Sequence, residues 1–196
     1  MTYRRLLQSG VVLASLWTSA PAVASADHED GVQAMAEAAQ AAARLVDQVR
    51  TATSPFRRLE AAEAAGYGLF HGCVSGPEGG AMGVHFVNGD LVGDGLLDAT
   101  RPEALMYQWK DGRPQLVGVE FVVLAEAWNA AHSAPPVLGG QLFTYNPAPN
   151  RYGIPAFYAL HVWAWQQNPA GVFADWNHKV SCAEYQGDSA TSHESH

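Results

Sequence analysis

Residues 115–124 read QLVGVEFVVL, and a strand written this way has no face to give to water. With the two-residue period of a strand, Leu116, Gly118, Glu120, Val122 and Leu124 share one side, and Val117, Val119, Phe121 and Val123 share the other. Both sides are apolar, so the strand must be covered on both faces. Asp111-Gly112 precedes it and is a strong hairpin signal, joining it to a second strand over residues 104–110. The chain is therefore committed to a sheet with structure packed on each side.

Further strands are expected at residues 82–87, ended by the Asn88-Gly89 turn signal, at 141–145, and at 156–165. Ahead of them the sequence is helical. Val32, Met35, Ala39, Ala42, Val46 and Val49 recur at spacings of three and four over residues 32–49. After a short link at 51–53, Ser54-Pro55 looks like a new helix start and Gly66 a natural stop. Residues 66–83 are rich in glycine but contain no GxxxxGK[ST], which excludes a phosphate loop. Residues 125–132 suit a short surface helix, and the chain beyond Asn168-Pro169 suits turns. The expected fold class is α+β, an N-terminal helical pair packed on a mainly antiparallel β-sheet with the option of closing into a small barrel. One domain divides into a helical segment (27–66) and a β-rich region (67–187), followed by a disordered tail (188–196).

Residues 1–26 read as a signal peptide. Arg4 and Arg5 precede a short apolar run, and Ala22-Val23-Ala24 and Ala24-Ser25-Ala26 offer small-residue cleavage sites. The run is too short to span a bilayer, so a periplasmic or secreted protein with no membrane span after cleavage is expected. Loss of the two arginines takes the formal charge from −8 to −10. An acidic exported chain is a poor partner for nucleic acid and suits a small molecule or a metal ion. In an oxidising compartment the two cysteines, Cys73 and Cys182, are expected to form a disulfide. A thiolate metal site or a catalytic thiol is the alternative, but neither cysteine lies in a CxxC or nucleophile signature.

Three ionisable residues interrupt the apolar strands: His85 in GAMGVHFVN, Glu120 in LVGVEFVVL and His161 in FYALHVWAW. Burying such groups is costly unless they are paired, hydrogen-bonded or bound to a metal. Two imidazoles and a carboxylate are the usual donors of a catalytic zinc site, and also of iron or manganese sites. His85, Glu120 and His161 are therefore candidate ligands of a divalent metal ion, with Glu120 also a candidate catalytic group. Gly83, two residues before His85, would relieve crowding beside that imidazole. His71 is a candidate fourth ligand, and Asn88, Tyr107 and Tyr158 are candidates for orienting the imidazoles. The competing account has core histidines and a Glu120 paired with Arg101, Arg151 or a histidine. Trp163 and Trp165, on the parity of His161, are candidates for lining a substrate pocket.

The segments AAEAAGYG (61–68), GGAMGVHFVN (79–88), RPEALMY (101–107), LVGVEF (116–121) and HVWAWQQNPAGVFADWN (161–177) resemble an uncharacterised family of exported bacterial proteins. Its members are similar in pairing a cysteine near position 73 with one in the tail. The resemblance implies no activity and assigns no residue roles. His178 stands where such segments usually carry proline, which argues against it as a ligand. Three functions follow as expectations: a metal-binding protein or metal-dependent enzyme, a Glu/His acid–base enzyme without metal, and a binding module with an aromatic pocket.

Overall fold

A computed structural model describes residues 26–76 and 79–187. Residues 1–25 of the expected signal peptide and the expected tail at 188–196 lie outside these. The chain divides into two units at Met35/Ala36, and helix α1 (Ala26–Thr53) runs through both. In the first unit Val32 and Met35 are exposed, so the apolar stripe read from the sequence does not begin there. Burial starts later, at Leu45 and Val49, with Val46 partly covered.

The second unit carries the fold. The link expected at 51–53 is helical instead. Thr51 and Thr53 satisfy their hydroxyls within it by donating to the carbonyls of Asp47 and Val49, one turn back. A 3₁₀ turn, Ser54–Arg57, follows with Pro55 near its start, where the missing N–H costs nothing. Helix α2 (Leu59–Ala64) ends as expected at Gly66. Its φ of 92° lets the Gly66 and Tyr67 N–H groups fold back onto the carbonyls of Glu63 and Ala62.

The main strands are β1 (Gly68–Gly76), β2 (Gly80–Val87), β3 (Ala104–Lys110), β4 (Arg113–Leu124), β7 (Thr144–Asn146) and β8 (Phe157–Val162). These six form one antiparallel sheet in the order β1-β2-β3-β4-β8-β7, curled as a half-barrel. A separate hairpin holds β5 (Val137–Leu138) and β6 (Gln141–Leu142), so the strand expected over 141–145 is split between two sheets. Short helices α3 (Gly89–Asp94) and α4 (Ala125–Ala131) complete the elements. The β3–β4 turn has positive φ at both Asp111 and Gly112, which matches the twist of a two-residue hairpin.

The fold is thus α+β, with α1 and α2 packed on one face of an antiparallel sheet. That face is a single cluster in which Leu45 and Val49 of α1 and Ala62 of α2 meet Leu105, Val119, Phe121 and Leu160. The opposite face holds two smaller clusters, one around Met106, Val117 and Trp163 and one around Val122, Phe157 and Ala159. A bulge in β4 corrects the parity read from sequence. Tyr107 pairs with Leu116 but Met106 pairs with Gly118, leaving Val117 as the extra residue. Leu116 consequently packs on the helix side, away from Glu120, and Val117 on the other. The disulfide Cys73–Cys182 ties β1 to the C-terminal turns across a separation of 109 residues.

Candidate metal centre

The sheet register brings the three interrupting residues together. Val87, Ala104, Glu120 and His161 lie in one cross-strand row over β2, β3, β4 and β8, and His85 is two residues along β2 from Val87. Strands β2 and β4 are two strand spacings apart, roughly 9–10 Å. His85 and Glu120 span that gap with their side chains, and Ala104, the β3 partner of Glu120, adds only a methyl group beside it.

His85 Nε2 is 3.5 Å from one Glu120 oxygen, and His161 Nε2 is 3.7 Å from the other. One ligand atom from each of the three residues falls within a 4.8 Å group. All three are buried, at 4%, 9% and 3% exposure for His85, Glu120 and His161. Such separations are too long for good hydrogen bonds. The first falls within, and the second just beyond, the edge of a tetrahedron whose corners sit 2.0–2.2 Å from a central ion, about 3.3–3.6 Å. None of the four ring nitrogens of His85 and His161 makes a well-aligned hydrogen bond. Two buried Nε2 atoms facing one carboxylate without a good hydrogen bond are uncommon and need a reason.

The charges around the group follow from burial. Desolvation, aided by the nearby His161 and His71, pushes the His85 imidazole down to about 3, so it is neutral with a free lone pair at neutral pH. Burial pushes Glu120 above the usual carboxylate range, against the pull of His161. Burial pulls His161 down, but Glu120 and Asp175 outweigh it and leave the ring more basic than usual. Glu120 contacts no arginine among the described residues. Arg101 pairs with Asp94 at 3.5 Å and Arg151 lies over the Trp176 ring, which removes both arginine partners from the satisfied-core account.

Asp175 is the functional residue that sequence reasoning misses. Its Oδ1 lies 3.3 Å from His161 Nδ1, on the far side of the ring from Glu120. His161 in turn holds the Asp175 carboxyl below its usual range. A carboxylate behind an imidazole fixes the tautomer that leaves the other nitrogen free for a metal. The one hint in the sequence is a lone acid in the aromatic segment GVFADWN. Trp163 builds this arrangement. Its backbone N–H donates to Val172 O and its indole N–H to Ala174 O at 2.6 Å, pinning the loop that carries Asp175.

Comparison with family models, with curated proteins and with solved structures gives no match. The site is therefore read from its own geometry. His71 is the cross-strand partner of His85, and its Nε2 is buried without a hydrogen bond, but it stands outside the 4.8 Å group. The three candidates for orienting the imidazoles lie elsewhere. Asn88 caps α3, Tyr107 donates to Phe56 O, and Tyr158 donates to Asn129. Trp163 stacks near His161 at a ring separation of 6.5 Å and faces the Asp175 loop. Trp165 is on the other face. The strand ends at Val162, and the chain turns so that Trp165 packs with the helices and donates to Thr53. Gly83 has a different role from the one expected. Its φ is 94°, and an added Cβ would sit 2.5 Å from Tyr107 O, so glycine lets β2 press against β3 there.

An apolar cavity of about 310 Å³ opens beside the group, with His85 and Glu120 in its wall. Neither Trp163 nor Trp165 lines it.

Proposed function

We propose that this is an exported metal-binding protein whose His85, Glu120 and His161 hold a divalent ion, with Asp175 orienting His161. The observation that carries this reading is the spacing of the donors: two buried Nε2 atoms without hydrogen bonds face the two oxygens of one carboxylate at 3.5 and 3.7 Å. Two nitrogens and one oxygen are the donors of His₂Glu zinc sites and equally of two-histidine, one-carboxylate iron sites, and zinc is the ion we test for. Three protein ligands leave a position free for water or substrate, as in a catalytic centre. A divalent ion held there acts as a Lewis acid on a water or carbonyl oxygen. The protein's own part is to keep His85 neutral, to set the His161 tautomer through Asp175, and to exclude bulk water with the apolar clusters on either side.

Export is supported by the disulfide and by the lack of any helix, among the described residues, long and apolar enough to cross a membrane. The test is metal content by ICP-MS on purified, tag-free protein. We expect one equivalent of zinc, reduced to background in H85A, E120A and H161A. Equal metal in the wild type and these variants would refute the assignment.

The Asp175–His161–Glu120 line also supports a second reading, acid–base catalysis without metal, with Glu120 and His161 exchanging a proton. Activity that survives exhaustive chelation would select it.

A further inference from the structure

The cavity beside the three ligands is nearly all hydrocarbon. His85 and Glu120 stand at one end, and Tyr152 is the only other polar side chain in its wall among the described residues. Tyr152 turns its hydroxyl toward Met82 Sδ at 3.5 Å, a weak acceptor. Val92 of α3, Val122 and Leu124 of β4, Ile154 and Phe157 make up much of the rest. No lysine or arginine among the described residues lines it. Phe70 forms part of the wall while remaining 45% exposed on the edge strand β1, so an aromatic ring is left in water where a ligand would cover it. The volume is in the range of small-molecule sites.

Charge decides the head group. Neutral imidazoles and one carboxylate leave a divalent ion with one positive charge unbalanced by its ligands; Asp175 offsets part of it from behind His161, outside the cavity, and no side chain in the wall does so. We infer that the cavity takes an amphiphile with an apolar body and a single terminal carboxylate. Its head lies at the His85/Glu120 end and its body along Val122, Leu124 and Phe157. This assignment rests on the metal-centre reading. Without the ion, Glu120 repels a carboxylate and the cavity has no cation to hold it.

The experiment is calorimetric titration of the zinc-loaded full chain with acetate, butyrate, hexanoate and octanoate, repeated after chelation. Affinity should rise about three- to fourfold per added methylene until the cavity fills. Chelation should abolish binding. Two variants that fill the cavity from its rim, Val92→Trp and Ile154→Trp, should keep wild-type zinc content and lose octanoate at least tenfold. Acetate binding as tightly as octanoate would overturn the assignment, and so would undiminished octanoate binding to chelated protein. Zinc retained with no carboxylate binding overturns this inference alone. Failure to retain zinc overturns the metal centre and this inference together.

Discussion

On the helix side of the sheet, Leu105, Val119, Phe121 and Leu160 pack into one unbroken cluster, and its polar atoms are answered. Tyr67 donates to Pro102 O, Tyr107 to Phe56 O, and Trp165 to Thr53. On the other side the same strands carry two separate clusters, with His85, Glu120 and His161 between them and both Nε2 atoms without a hydrogen bond. Alternate residues of β4 thus serve opposite ends. Phe121 completes a core, and Glu120 beside it breaks one. The helix face supplies stability, and the opposite face carries unmet polar groups that a ligand would satisfy.

The contrast is sharpest in the cross-link and the core. Reducing the Cys73–Cys182 bond frees a loop of 109 residues, and the loss should be about 4–5 kcal/mol in denaturant unfolding. Phe121→Ala should cost about 3–5 kcal/mol. Its neighbour should behave in the reverse way. Glu120→Met removes a buried carboxyl while His161 keeps its Asp175 partner, so the metal-free variant should stay close to the wild type in stability, while metal binding disappears. A Glu120→Met protein that loses as much stability as Phe121→Ala would erase the distinction between the faces.

A smaller effect probes the loop behind the site. Asp175→Asn should lower metal affinity about 10- to 100-fold, measured by competition with a chromophoric chelator, with the metal-free melting temperature unchanged. Glu103 offers a pH probe on a buried carboxyl outside the ligand set. Its Oε2 accepts the Val122 N–H at 2.9 Å, and burial pushes the acid from 4.5 up to about 8. The folded protein therefore keeps Glu103 protonated where the unfolded chain has lost the proton. The stability this group contributes is complete below pH 4.5 and is lost as pH rises toward 8. Glu103→Gln should flatten that decline in a melting series, and an unchanged slope would rule Glu103 out as its source.

The same contrast governs what is legible in the sequence. Strands β3 and β4, their hairpin, and the three clustered residues His85, Glu120 and His161 can be read directly, because an ionisable group inside an apolar run is too costly to bury without a partner. Features set by backbone irregularity cannot. The glycines of β1 make that strand look like a loop, and the Asn88-Gly89 pair caps helix α3 rather than closing a hairpin. Period-two reasoning puts Leu116 on the wrong face because it cannot see the bulge at Val117. It misplaces Trp165 because β8 ends three residues sooner than its apolar run. Asp175 approaches His161 from a loop, across 14 residues of turns, and no periodicity signals such a contact.

The central claim is that one ion joins the three strands, and anomalous diffraction at the zinc edge from zinc-loaded crystals tests it most directly. The account predicts one strong peak between His85 Nε2, Glu120 and His161 Nε2, with Asp175 on the far side of His161. A peak confined to the surface histidines, or no peak within reach of Glu120, would contradict it.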